Sequence, residues 1–253
     1  MRIYKNPKIY TFRPEKEQKS FEISPRGIWI LVILIILTGL IYFFLFSSYF
    51  KIKQVYIVGA GDLEDEVSNM INQNLSKKSN FFLFSNKVVE EEISENFSIF
   101  KSIKIYKGFP NALRVDLEKR EAVLICQAAG NDFLIDSEGI VFKGENIPEG
   151  LPKIEKQKSL QLNEKGFSKD FIKFVKGVWE NFPAKTHFKI TKIQIPETDF
   201  VIEVYTDTGW KAIFDTTKDY QKQLDNLALV LSQIGDQKIE YIDLRLEEKV
   251  YYK

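Results

Sequence analysis

Hydrophobic and polar positions follow three different patterns along this chain, and the first has no polar positions in it. Ile28–Phe46 reads IWILVILIILTGLIYFFLF, 19 residues without a charge, diluted only by Thr38 and Gly39. A helix with no polar face has nothing to present to water. At about 1.5 Å rise per residue it spans roughly 28 Å, close to the ~30 Å hydrocarbon core of a bilayer. A cleaved signal sequence has a shorter apolar region ending in small residues, whereas this run leads into Ser47, Ser48, Tyr49 and Phe50. The pattern therefore predicts an uncleaved membrane anchor over 28–48. Trp29 and Tyr42 near its ends suit the interfacial aromatic belts.

The second pattern covers residues 50–121. Ile52, Val55 and Ile57 alternate with polar residues and stop at Gly59 and Gly61, which predicts a strand and a turn. Leu63, Val67, Met70, Ile71 and Leu75 then recur at helical spacing behind Asp62, a candidate cap. A short apolar link, SNFFLFS, leads to a second helix capped by Ser85 or Asn86, with Val88, Val89, Ile93 and Phe97 inward. Ile103 and Ile105 mark a strand, Gly108–Asn111 a turn, and Leu113, Val115 and Leu117 a strand with one wet face. The order is β-α-α-β-β.

The third pattern, residues 122–253, reads as mostly β with two helices. Ala122–Gln127 is a strand, FLID-SEG-IVF a hairpin, and Ile147–Pro152 a loop. Phe167, Phe171, Phe174, Val175, Val178 and Trp179 mark one amphipathic helix; Tyr220, Leu224, Leu227, Ala228, Leu231 and Ile234 mark another that ends near Gly235. Between them Lys189–Ile195, Phe200–Tyr205 and Trp210–Phe214 read as strands, and the chain closes with Ile239 to Lys253. The predicted class is α+β: a single transmembrane helix, then the β-α-α-β-β unit, then a mixed, mostly antiparallel β domain with two helices.

Charge orients the anchor. Residues 1–27 carry seven Lys or Arg against Glu15, Glu17 and Glu22, while Asp62, Glu64, Asp65 and Glu66 soon follow the helix. The basic side stays in the cytoplasm, so the N-terminus is expected inside and the two later regions outside. Pro7, Pro14 and Pro25 make 1–27 a disordered tail that touches anionic lipid weakly. Over the whole chain 36 Lys and Arg balance 35 Asp and Glu, which leaves no net field to draw nucleic acid.

Candidate chemistry is sparse. One Cys, Cys126, excludes an internal disulfide, and with the one His, His187, it cannot build a metal cluster. Cys126 sits in AVLIC and is expected to be a buried inert thiol. No nucleophile–base motif accompanies His187, and Gly59-Ala60-Gly61 lacks the rest of a phosphate loop. Glu90–Glu92, Asp62–Glu66 and Glu247–Glu248 read as solvated carboxylates. No catalytic, cofactor or metal residues are expected. Asp243 and Arg245, two apart on one strand, share a face and suit a salt bridge or partner docking; Ile242, Leu244 and Leu246 take the other face.

The β-α-α-β-β order behind an anchor resembles a POTRA domain. Phe50–Gly59, Asn80–Phe84 and Phe109-Pro110-Asn111-Ala112-Leu113 leading to Glu118-Lys119-Arg120 carry the resemblance, with Ala122 where a Pro is usual. The ending, Tyr241-Ile242-Asp243-Leu244-Arg245 followed by Val250-Tyr251-Tyr252-Lys253, resembles the C-terminal signature of the FtsQ/DivIB cell-division family. That resemblance implies a non-enzymatic divisome scaffold at the septum. It implies bitopic partners of the FtsB/DivIC and FtsL types, other divisome components on the POTRA-like domain, and control of septal peptidoglycan synthesis by FtsW with FtsI. Partner binding would be β-strand augmentation through Tyr241, Asp243, Arg245, Leu246, Glu248, Val250, Tyr251 and Tyr252. Where some family members carry an aromatic after D-L-R, this chain has Leu246, so the aromatic anchor is either lost or supplied by Tyr251 or Tyr252. A POTRA-containing translocation factor is the alternative, and a membrane-anchored hydrolase a third class that lacks its motif.

Overall fold

A computed structural model describes residues 24–144, 146–235, 237–246 and 249–253. Of the expected tail over 1–27, residues 1–23 lie outside the described residues, as does the pair Glu247–Glu248; Pro25, Arg26 and Gly27 instead open the first helix. Two compact units meet between Ser48 and Tyr49.

The first unit contains α1, Pro25–Phe46. It starts three residues before the apolar run, because Ser24 Oγ accepts from the Gly27 N–H and Pro25 takes the first helical turn. Proline lacks only an N–H that this turn leaves unused. The helix stops at Phe46, two residues short of the expected end, and Ser47 is extended. Thr38 Oγ1 donates to the Leu34 carbonyl at 2.8 Å, so this hydroxyl is satisfied inside its own helix. No residue of α1 is buried, and it is the one helix among the described residues long and apolar enough to cross a membrane.

The second unit opens with a three-stranded sheet. β1 (Gln54–Val58) runs parallel to β3 (Ala112–Lys119), and β2 (Phe100–Gly108) runs antiparallel to β3 on its other side. Two helices, α2 (Glu64–Lys77) and α3 (Asn86–Asn96), bury Val67, Ile71, Val89 and Ile93 against Leu113, Val115 and Leu117. The β-α-α-β-β order is present. Gly59 turns the chain at φ +88°, and a Cβ there would stand 2.0 Å from the Leu117 carbonyl oxygen, so only glycine fits.

Three local expectations change. Asp62 caps nothing, because a 3-10 turn over Gly61–Leu63 intervenes and α2 begins at Glu64. Val88 faces water at 54% exposure, and Phe84, just before α3, fills the core in its place. Glu90 and Glu92 are not merely solvated. Glu90 Oε1 accepts from the Ile105 N–H at 3.0 Å, and Glu92 Oε2 from Asn74 Nδ2 at 2.6 Å. Asn86 Nδ2 donates to the Ile105 carbonyl, so α3 caps the outer edge of β2 from both sides.

The second sheet has nine strands: β4 (Ala122–Ala128), β5 (Asn131–Asp136), β6 (Val141–Phe142), β7 (Lys153–Lys156), β8 (Ile190–Ile195), β9 (Val201–Thr206), β10 (Lys211–Asp215), β11 (Tyr241–Asp243) and β12 (Tyr251–Tyr252). Their spatial order is β12-β11-β10-β9-β8-β7-β4-β5-β6. Neighbours are antiparallel except β4–β7, β7–β8 and β10–β11. The helices α4 (Lys169–Thr186) and α5 (Tyr220–Ile234) cover one face. Each starts at a capping side chain: Ser168 Oγ accepts from the Phe171 N–H and Asp219 Oδ1 from that of Lys222. Gly177 allows the Tyr220 ring to pack directly on α4, since a Cβ would come within 2.5 Å of it. β7 has no counterpart in the sequence reading. Its only buried side chain is Ile154, yet it joins the two halves of the sheet.

The two sheets are bolted together. Ile99 packs on Ile125, Leu134 and Phe142 of the helix-free face. Arg120 Nη1 meets Asp136 Oδ2 at 2.7 Å, both side chains nearly buried, while Arg120 Nε donates to the Ser98 carbonyl. Ser98 Oγ accepts from the Lys143 N–H, and Asn163 Nδ2 donates to the Ser94 carbonyl.

Candidate partner-binding edge

An edge strand exposes backbone groups that a second chain can complete, and proteins usually obstruct such edges. In the large sheet one edge is obstructed. Beyond β6, the Val141 N–H donates to the Glu164 carbonyl and the Asn163 N–H to the Val141 carbonyl, so the 163–166 segment covers it. The other edge is β12, with no strand outside it among the described residues. Tyr241 and Lys253 exchange backbone hydrogen bonds, with Lys253 N to Tyr241 O at 3.2 Å. Antiparallel pairs alternate, so the intervening Ile242↔Tyr252 pair is non-hydrogen-bonded and the Tyr252 N–H and C=O point outward.

Side chains on this edge form rows across the sheet. Val204, Ala212, Ile242 and Tyr252 stand abreast on the helix side, the first three fully buried and Tyr252 54% exposed. Glu203, Ile213, Asp243 and Tyr251 stand abreast on the helix-free side. Val250 packs partly on the core. Six of the eight expected residues, namely Tyr241, Asp243, Arg245, Val250, Tyr251 and Tyr252, thus gather at β11 and β12. Leu246 does not take the buried face expected of it. The strand ends at Asp243, Leu244 is the last buried side chain among the described residues, and Leu246 is 50% exposed. Glu248 lies outside the described residues.

Asp243 and Arg245 form a fork: Arg245 Nε to Asp243 Oδ1 at 2.9 Å and Nη2 to Oδ2 at 2.6 Å, with the Arg245 N–H also on Oδ1 at 3.1 Å. Burial alone would raise the Asp243 carboxyl, but the guanidinium and the backbone N–H outweigh it and hold it below its ordinary 3.8. The same hydrogen bonds raise Arg245. Lys218 Nζ donates to the Arg245 carbonyl at 2.6 Å and pins the chain where it leaves the strand. Beside the fork, Glu203 accepts from Lys211 Nζ at 2.6 Å and from the Tyr205 hydroxyl at 2.7 Å. Burial opposes ionisation of Glu203, yet these two donors keep it below the usual carboxylate range. The sequence reading did not include Lys218, Glu203 or Lys211. The polar alternation of β9 and β10 could have flagged the last two; nothing local flags Lys218, 27 residues from its acceptor.

The other residues of chemical interest stand apart. His187 is the exposed left-handed cap of α4. Cys126 is fully buried in the sheet core, and burial pushes its thiol up to about 12. Among the described residues no cluster of His, Cys, Asp and Glu could hold a metal ion. A cleft of about 810 Å³ lies between the starts of α4 and α5, where Lys156 is already paired with Asp199 at 2.7 Å.

An anchored α+β chain ending in this sheet matches a known domain: residues 123–245 match the C-terminal domain of Cell division protein FtsQ/DivIB. The family model and the DivIB relatives together support the FtsQ/DivIB family of cell-division proteins for this chain. It is similar to Cell division protein DivIB of Staphylococcus aureus, 26% identical over 217 residues in strain NCTC 8325 / PS 47 and 25% in strain MRSA252. Each alignment covers 79% of this chain and 45% of the relative, so the chain spans about half the length of the curated relatives it matches. The matched domain ends at Arg245, so β12 lies beyond it.

Proposed function

We propose that this chain is a non-enzymatic divisome scaffold that captures a bitopic partner by strand addition at β12. The observation that carries the reading is the asymmetry of the nine-stranded sheet. One edge is closed by the chain's own 163–166 segment, while the other ends in a short strand with outward backbone groups. The partners are FtsB/DivIC-like and FtsL-like proteins, and the output is control of septal peptidoglycan synthesis.

An added strand continues the rows. Opposite Tyr252 it extends an apolar row, and opposite Tyr251 a polar row that runs from Glu203 through Ile213 and Asp243. The partner segment is therefore apolar and polar in alternation, with its apolar side toward Val250 and Tyr252. Leu246 and Glu248 read the segment's ends. The N-terminus is cytoplasmic and residues from about 47 are extracytoplasmic, as the flanking charges argue. Residues 50–121 act as a POTRA-like domain that holds the 122–253 domain, and offer a second surface to other divisome components.

The test is binding of the membrane-reconstituted chain to an FtsB/DivIC-like ectodomain. Removing residues 249–253 abolishes binding while the membrane anchor and the fold of 49–246 persist. Unchanged affinity after that deletion refutes the edge. A fluorescent fusion spread evenly around the cell, instead of gathered at mid-cell, refutes the division reading as a whole.

A further inference from the structure

The three-stranded sheet uses one of its faces for its core. α2 and α3 pack on the side that carries Leu113, Val115 and Leu117. On the opposite side Tyr56, Val58 and Tyr106 are 56, 50 and 51% exposed. A sheet with one wet face is ordinary, and such a face is polar. Two tyrosines and a valine around an arginine are a different composition, and Tyr and Arg are enriched where proteins meet.

The strand registers set these side chains in rows. Tyr56, Arg114 and Tyr106 stand abreast on β1, β3 and β2, and Val58, Asp116 and Lys104 stand abreast in the next outward row. Between the two lies the row Ile57, Val115 and Ile105, whose side chains turn to the core. Arg114 Nε donates to Asp116 Oδ1 at 2.7 Å, which leaves the terminal nitrogens of Arg114 and the second oxygen of Asp116 for another molecule. Both side chains are open to water, at 61 and 34% exposure, and Lys104 is exposed as well. The wet face of the large sheet differs. It ties its lysines to neighbours, Lys192 to Glu155 and Lys211 to Glu203, each at 2.6 Å.

The two outward rows complement each other. Stacked sheets pack about 10 Å apart. A second copy can be laid face to face and turned about a two-fold axis that crosses the strands along the Ile57–Val115–Ile105 row. Each outward row then falls on the other. Arg114 meets the copy's Asp116, Tyr106 the copy's Lys104 and Tyr56 the copy's Val58, and every pair is made twice. The first pair is ionic, the second sets a cation on a ring and the third is apolar. One row farther out, the exposed Glu118 falls opposite the copy's Ala112, whose small side chain leaves it room. A two-fold axis along the strands would instead set Arg114 on Arg114 and Asp116 on Asp116, which like charges forbid.

We propose that the open face of the β1-β3-β2 sheet is a self-association surface, on which two copies of this chain pair antiparallel about Arg114 and Asp116. β12 belongs to the other sheet, so the pairing goes beyond partner capture at that edge and does not depend on it.

The test co-expresses the full chain under two different affinity tags, extracts it in mild detergent and measures how much of one copy the other retains. Wild-type copies retain each other. Arg114→Asp on both copies, or Asp116→Arg on both, opposes like charges across the axis and lowers retention about tenfold or more. Arg114→Asp on one copy with Asp116→Arg on the other restores opposite charges at every contact between copies, while the pair within each chain stays broken. Retention then returns to near the wild-type level, which separates the contact between copies from any loss of fold. Absence of wild-type retention, the result for a face that serves a different protein, overturns the proposal. Full retention between Arg114→Asp copies, the result if α1 or another surface joins them, overturns it too, as does a mixed pair that fails to recover. Removing residues 249–253 leaves retention unchanged; its loss would assign the self-contact to β12 and overturn the face.

Discussion

At the scale of single residues, two ion pairs are built alike and serve opposite ends. Arg120–Asp136 joins the two sheets, with side chains 14% and 5% exposed. Asp136 is saturated, since its other oxygen accepts from the Glu138 and Ile140 N–H groups. Truncating one partner of a buried pair leaves the other charge without compensation, which costs about 3–5 kcal/mol. Asp136→Ala therefore lowers the unfolding free energy by about that amount, and Arg120→Ala with it recovers part of the loss; denaturant melts of the four species check both. Asp243–Arg245 is half in water, and its effect is read through pH. The folded carboxyl lies below its ordinary 3.8, so its contribution is complete above that value and is lost as pH falls through the lower folded value. Partner affinity that depends on this fork is thus flat from neutral pH down past the ordinary carboxyl value of 3.8 and drops only at more acidic pH. Asp243→Asn removes the acid limb attributable to this site. A titration of binding against pH, wild type beside variant, decides it.

At the scale of elements, what water-facing alternation encodes was legible and what neighbours decide was not. Leu113, Val115 and Leu117 read as a one-sided strand and are buried in β3. The two long helices of the large sheet also lie where their apolar stripes put them. β7 escaped because a parallel strand between two others is recognised by its neighbours, and KIEK offers only Ile154 as an apolar mark. Asp62 looked like a cap, since nothing local distinguishes an α start from a 3-10 turn before it. The candidate edge was legible as a place, in the sequence from Tyr241 to Lys253. Its register was not, because that depends on the Tyr241–Lys253 exchange. The register makes a sharp prediction. Tyr252→Pro deletes an outward N–H and no inward one, and edge strands tolerate proline. It weakens partner binding roughly tenfold, the ~1–1.5 kcal/mol of one backbone hydrogen bond, with little change in melting temperature. Tyr251→Pro removes an N–H facing β11 and should instead loosen β12 itself, seen as faster amide exchange at Asp243. The reverse pattern would place the added strand in the other register.

At the scale of the whole molecule, the parts argue for a division of labour along the chain. The apolar run Ile28–Phe46 of α1 has no charge and no buried residue, and its Thr38 hydroxyl is satisfied within the helix, which suits an anchor. Gly39 is the one position open to a close-packed helix, with nothing within 4 Å of where its Cβ would stand. From Tyr49 onward the chain is a single compact unit, in which the Arg120–Asp136 bolt and the Ile99 contact tie the first sheet to the second. On the proposed function, capture at β12 and anchorage by α1 make the anchor's sequence replaceable and its length not. Exchanging residues 28–46 for an unrelated uncharged apolar span of equal length should preserve membrane integration, partner capture and mid-cell placement. Shortening the span by one third should fail the carbonate-extraction assay first. If the equal-length exchange keeps integration but loses mid-cell placement, α1 itself makes a specific lateral contact. Gly39→Leu in the native span is then the variant that should reproduce the loss.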